Sequence, residues 1–149
     1  MLLQDLLEAR GMRVQFIAGD LTVLDAISLM AEGKISALIV AQEDQPIGIF
    51  TERDIMRYHV NHGGRPISQV MVQQVMTNKL FIAECTEEIS KVMPMMLQMD
   101  IRHLPVAKDG RIVGIIPLRE LVQHHVSSLD AELRYLHDYI ADLQEAGRD

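Results

Sequence analysis

The chain resembles itself at one fixed offset, and no other feature constrains its fold as much. Ile35-Ser36-Ala37-Leu38-Ile39-Val40-Ala41 matches Ile101-Arg102-His103-Leu104-Pro105-Val106-Ala107, and Ile47-Gly48-Ile49-Phe50 matches Val113-Gly114-Ile115-Ile116, both 66 residues apart. The same offset pairs Met30 with Met96, Arg53 with Arg119 and His59 with His125. A register that never slips marks a duplication, with units near residues 14–60 and 80–126. A unit of roughly 50 residues buries too little surface to be stable alone. The two copies are therefore expected to pack face to face about a pseudo-twofold axis, leaving clefts in which small ligands bind.

Each unit reads as β-α-β-β-α. Val14–Ala18 is a strand candidate, and Thr22 with Asp25 forms a capping-box pattern before a helix. Val23, Ala26, Ile27 and Met30 give that helix one buried stripe, and Gly33 is expected to end it. Ala37–Ala41 and Pro46–Phe50 flank a polar loop, and Thr51–Val60 reads as a second helix. In the second unit Ile89, Val92, Met93 and Met96 repeat the stripe, and Asp109-Gly110 marks a tighter turn between Leu104–Ala107 and Arg111–Ile116. Pro94 predicts a kink or a later helix start, because an interior proline costs about 3 kcal/mol. Asn61 to Pro66 breaks structure between the units, and Ser68–Met76 leads helically into the second.

Composition narrows the class. With 48% hydrophobic and 23% charged residues, the chain of 149 residues is globular in type. A net charge of −7 without a Lys/Arg block argues against a nucleic-acid partner, while leaving room for local basic pockets that bind a small anion. The single cysteine, Cys85, cannot form an intramolecular disulfide, which suits a reducing cytoplasm. No apolar run approaches the roughly 18 to 20 residues that span a bilayer, so no membrane association is expected. MLLQDLLEARG carries Asp5 and Glu8 within its apolar stretch and does not read as a signal peptide.

Chemistry concentrates at Gly48-Ile49-Phe50-Thr51-Glu52-Arg53-Asp54, where a strand runs straight into a helix. Thr51 and Asp54 stand one turn apart, and two readings fit them. Thr-x-x-Asp is a capping box, worth about 1 kcal/mol. A hydroxyl and a carboxylate so placed also suit a vicinal diol such as a ribose. The second unit has Pro117 and Glu120 at these positions, which keep a helix start but lose the hydroxyl. A diol grip is therefore expected in the first unit only. Arg102 and His103, between two apolar runs, are either an exposed strand edge or an anion clamp, since Arg suits phosphate. Arg53 is either a surface residue or a third member of such a clamp.

The repeat, the element order and GIFTERD after ISALIV resemble a tandem pair of CBS domains, a Bateman module, over roughly residues 10–126. The LLEARG that precedes the first unit is similar to small stand-alone bacterial members. The resemblance implies an α+β fold of two repeats packed by pseudo-twofold symmetry, with terminal helices. The corresponding segments are an N-terminal helix 1–11, repeat one 12–62, a linker with a short helix 63–76, repeat two 77–126 and an amphipathic helix 127–149. It also implies a regulatory module with no catalysis, binding AMP, ADP or ATP, with NAD or S-adenosylmethionine as further adenosyl ligands. Thr51 and Asp54 would hold the ribose, Leu80, Phe81 and Ile101 the base, and Arg102 and His103 the phosphates. The weaker second cleft would combine Glu120 with Val14, Ile35, Ser36 and Ala37. A homodimer signalling to an effector protein is the expected assembly. The rival reading is a ligand-free dimeric scaffold in which Thr51 and Asp54 only cap a helix.

Other constellations add less. His124-His125 with His59 or His62 is the best metal grouping, but adjacent helical residues diverge by about 100°, and no metal is expected. Met93, Met95, Met96 and Met99 read as core filling. No nucleophile stands with an evident base, and no phosphate loop of the GxxxxGK type occurs. Ser127 and Asp130 are spaced as a capping box for a last helix. Leu129, Leu133, Leu136, Ile140 and Leu143 then form an a/d seam that lies either on its own domain or on a second subunit.

Overall fold

The computed structural model describes residues 1–61 and 63–147. An opening helix α1 (Leu3–Arg10) precedes repeat one, built of β1 (Phe16–Ala18), α2 (Val23–Gly33), β2 (Ala37–Gln42), β3 (Gln45–Thr51) and α3 (Glu52–Asn61). A 3₁₀ turn at Ile67–Gln69 and the short α4 (Val72–Val75) follow. Repeat two comprises β4 (Ala83–Glu84), α5 (Ile89–Met99), β5 (His103–Lys108), β6 (Arg111–Pro117) and α6 (Leu118–Ala146).

Each repeat holds one three-stranded sheet, ordered β1-β2-β3 and β4-β5-β6, with the first pair parallel and the second antiparallel. The 66-residue offset survives in three dimensions. Ala37 pairs with Thr51 as His103 pairs with Pro117, and the register shifts after Val40 in one sheet and after Val106 in the other. The hairpin turns are equally tight, not tighter in the second unit. Glu43-Asp44 and Asp109-Gly110 each place two residues at positive φ, as a two-residue turn matching the strand twist requires. Both α2 and α5 end on a left-handed residue, Lys34 and Asp100. Gly33 is therefore the last helical residue and not the cap itself.

The Thr22–Asp25 capping box forms in both directions, at 3.1 and 3.2 Å. Helix α5 starts at Ile89, level with Val23, and carries Pro94 inside it, so the later start does not occur. Its buried face of Ile89, Val92 and Met96 matches Val23, Ala26 and Met30, so packing outweighs the local cost of the proline.

The lead-in helices exchange places. Helix α4 packs on repeat one, where Val72 N–H donates to Leu21 O at 2.8 Å and Gln73 N–H to Gly19 O at 3.0 Å. Helix α1 packs on repeat two through Leu3 N–H to Glu87 O and Gln4 N–H to Cys85 O, both 2.9 Å. The buried side chains follow suit: Leu3, Leu6 and Leu7 join the core of Met96, Leu104 and Ile116, whereas Val70 and Val72 join that of Leu38 and Phe50. A third buried cluster of Ala37, Ile39, Ile49 and Ile115 joins the two sheets. Ile49 and Ile115 are equivalent residues, and their meeting in one cluster is what a pseudo-twofold axis produces.

Helix α6 runs unbroken through Ser127, so the separate helix start expected there is internal to a longer helix. Nothing between Leu118 and Ala146 is a Gly or Pro that would stop it.

Candidate functional site

Two clefts flank the contact between the repeats. Cleft A, about 170 Å³, is lined by Thr51 and Arg53 from repeat one and by Leu80, Phe81, Ile101, Arg102 and His103 from repeat two. The chain reaches it because Thr77 bridges Ile49 through paired backbone hydrogen bonds of 2.9 and 3.0 Å, which carries Leu80 and Phe81 past β3. Gly48 permits that approach, since a Cβ there would stand 2.8 Å from Thr77 O and 2.6 Å from Met76 Sδ.

Asp54 sits beneath the cleft and not on its wall. It is 1% exposed. Its Oδ2 accepts the Thr51 N–H at 2.9 Å and the Thr51 hydroxyl at 3.4 Å, while Oδ1 accepts the Thr77 hydroxyl at 2.8 Å. Arg57 adds a longer ion pair at 3.8 Å. The helix-start role of this carboxylate is therefore real. Thr51 lines the cavity, and its hydroxyl donates to the carboxylate beneath, so of the two GIFTERD residues the alcohol reaches the cleft and the acid supports it from below.

Across cleft A, Arg53 Nη1 donates to Asp100 Oδ2 at 3.0 Å, tying α3 of one repeat to the end of α5 in the other. Glu52, Arg57, Thr77 and Lys79 also line the cavity. Sequence reasoning passed over these four. Lys79 carried a signal, because its equivalent at the 66-residue offset, Arg13, is also basic and lines cleft B.

Cleft B is larger, about 630 Å³, and brings together Val14, Ile35, Ser36, Ala37 and Glu120, with Arg10, Arg13, Lys34 and Arg119 around them. Glu120 is held in a salt bridge by Arg10, whose Nη2 donates to Oε1 at 3.1 Å and whose Nη1 donates to Ile115 O at 2.9 Å. Arg10 was missed because α1 precedes both repeats in sequence and reaches this cleft only by packing on repeat two. Four of the chain's 14 basic residues line cleft A and four others line cleft B. Positive charge is thus concentrated between the repeats of a chain of net charge −7. Cation and acid are arranged differently in the two clefts: Arg53 faces Asp100 in A, whereas their equivalents in B are Arg119 and Lys34, two cations.

His103 lines both clefts and shares a 2.8 Å hydrogen bond with Ser36 through Nε2. Burial pushes its imidazole below the ordinary histidine range; Glu52 opposes this, and Arg119, Arg102 and Arg53 reinforce it. Among the described residues no three His, Cys, Asp or Glu side chains come together as metal ligands, and no helix is long and apolar enough to cross a membrane. His62, considered with His59, His124 and His125, lies outside the described residues.

Comparison with known proteins agrees with the duplicated fold. The CBS domain family model matches twice, over residues 5–61 and 72–127. The mitochondrial CBS domain-containing protein CBSX3 of Arabidopsis thaliana is 34% identical over 81% of this chain and 61% of its own length. The chain thus spans about three fifths of that relative. A putative signal-transduction protein with CBS domains from Burkholderia ambifaria superimposes with a TM-score of 0.79 at 32% identity, over 85% of this chain and 95% of the other. The CBS domain pair of protein MJ0100, solved in complex with 5′-methylthioadenosine and S-adenosyl-L-methionine, shares the fold with a TM-score of 0.73 at 20% identity, over 86% and 98%.

Proposed function

The chain belongs to the CBS-domain family, and we propose that it is a regulatory module that binds an adenine nucleotide in cleft A and transmits a conformational change to a partner protein. The observation that carries this reading is the convergence of residues from both repeats on one cavity, with Thr51 backed by the buried Asp54 on one side, an apolar wall and a basic end. A ribose diol would exchange hydrogen bonds with the Thr51 hydroxyl and the Asp54 carboxylate beneath it. An adenine would lie against Leu80, Phe81 and Ile101. Phosphates of AMP, ADP or ATP would meet Arg102, Lys79 and Arg53, with His103 at the inner end. The adenosyl ligands of the MJ0100 pair support this ligand class, and NAD and S-adenosylmethionine fit the same description.

Cleft A is tight beside the roughly 300–1,000 Å³ of ordinary ligand pockets. Its widening would begin at the Arg53–Asp100 bridge, which is solvent-exposed on the Asp100 side and weakly held. Binding would thereby separate α3 from the end of α5 and change the relative orientation of the repeats. No bond is made or broken. In this reading the protein is a cytoplasmic homodimer whose output is read by an effector.

Cleft B supports a second, weaker site. Its volume and its four cations favour a phosphate-bearing ligand, but Pro117 brings no hydroxyl and Glu120 is already paired with Arg10.

Thermal shift of the purified chain against AMP, ADP, ATP, NAD and S-adenosylmethionine tests the reading. A ligand at 100 times its Kd should stabilise the fold by about 2.7 kcal/mol, a rise of several degrees. No stabilisation by any of the five would favour the scaffold, in which Asp54 serves only Thr51 and Thr77.

A further inference from the structure

We propose that residues 126–146 of α6 pair with the same segment of a second copy as a parallel, two-stranded coiled coil. The proposal deepens the homodimer reading above and is independent of the nucleotide.

The segment stands clear of its own domain. Val126, Leu129, Leu133, Leu136, Ile140 and Leu143 are 45–58% exposed, and all of them lie on one helix. Their spacing alternates between 3 and 4 over about three heptads. This places Val126, Leu133 and Ile140 at a, and Leu129, Leu136 and Leu143 at d. β-branched residues at two of three a positions with Leu at every d favour two parallel strands.

Polar complementarity points the same way, an imidazole N–H of each histidine being a donor for a carboxylate. In a parallel pair a g residue faces the e residue five positions further along the other helix. His125 then faces Asp130 of the partner subunit, and Glu132 faces the partner's His137, each contact occurring twice by symmetry. In an antiparallel pair e faces e, so His137 would meet its own copy. The polar faces carry Asp130, Glu132, Asp138, Asp142 and Glu145 against Arg134, an acidic excess unlike the basic face of helices that lie on lipid.

The continuity of α6 gives this pairing a consequence. The helix that carries the seam also bears Arg119 and Glu120 at cleft B, so two rigid helices would link the clefts of two subunits. A shift at the Arg10–Glu120 pair would be felt along the seam.

The test uses the full chain. Leu143→Cys and Leu129→Cys should each give a covalent dimer on mild oxidation, because a parallel pair sets each residue against its own copy; the native Cys85 is buried and does not compete. His137→Lys, placed against Glu132 of the partner subunit, should tighten the dimer severalfold in sedimentation, and His137→Glu should loosen it to a similar degree. A monomer by mass at all concentrations overturns both this proposal and the dimer reading. A dimer by mass that fails to cross-link at either cysteine overturns the coiled coil alone. Cross-linking only between Leu143→Cys and Leu129→Cys chains, or loosening by His137→Lys, overturns the parallel arrangement.

Discussion

The Thr77 hydroxyl donates a 2.8 Å hydrogen bond to Asp54 Oδ1, so a residue between α4 and β4 satisfies the buried carboxylate of the GIFTERD helix. Asp54 is thereby a structural acid as well as a candidate ligand, held by groups from two parts of the chain. Hydrogen bonds to charged groups contribute about 1.5–3 kcal/mol. Thr77→Val should lower unfolding stability by that order, read from chemical denaturation, while leaving helix content unchanged.

Gly48 and Gly114 are equivalent positions with unequal surroundings. A Cβ on Gly48 meets the Thr77 carbonyl, which belongs to a backbone bridge; a Cβ on Gly114 meets Leu7 Cδ2 at 2.7 Å, the end of a flexible side chain. Overpacking costs about 1–3 kcal/mol, and Gly48→Ala should fall within or above that range while Gly114→Ala stays near its lower end. Equal denaturation midpoints for the two variants would contradict the close approach at Ile49–Thr77.

What the sequence made legible follows from this geometry. The 66-residue offset was readable because equivalent strands keep their register, and Thr51/Asp54 stood out because a strand runs directly into a helix there. The exchange of α1 and α4 between repeats was hidden, since those helices relate by 69 residues and share only apolar spacing: Leu3 with Val72, Leu7 with Met76. The cations of cleft B were hidden for a related reason. Arg10, Arg13, Lys34 and Arg119 are scattered singly along the chain, and only folding gathers them. Ser127 misled because a capping pattern carries meaning only where the preceding helix stops.

Asp100→Asn should loosen the Arg53 tether and remove a negative charge from the rim of cleft A. An exposed ion pair contributes about 0–1 kcal/mol, so stability should hardly change. Affinity for a phosphate-bearing ligand should rise up to about fivefold, measured by calorimetry, because Arg53 becomes free to turn toward the phosphates.

His103 makes stability depend on pH. Its folded pKa is lowered, mainly by burial, so the unfolded chain binds a proton more readily. Its contribution is fully present above about pH 6.5, the unfolded value, and is lost as pH falls through the lowered folded value. Denaturation midpoints should therefore drop between pH 7.5 and 5.5, and His103→Gln should flatten part of that drop. A histidine that bound its proton more tightly in the folded state would give the opposite slope.

Isothermal titration with AMP and ATP, comparing Asp54→Ala with Glu120→Ala in chains confirmed as folded by circular dichroism, weighs the two clefts against each other. Loss of tight binding in Asp54→Ala, with Glu120→Ala close to the parent, is expected if the ribose is held beside Thr51 in cleft A. Undiminished binding by Asp54→Ala, or equal losses in both variants, would contradict it.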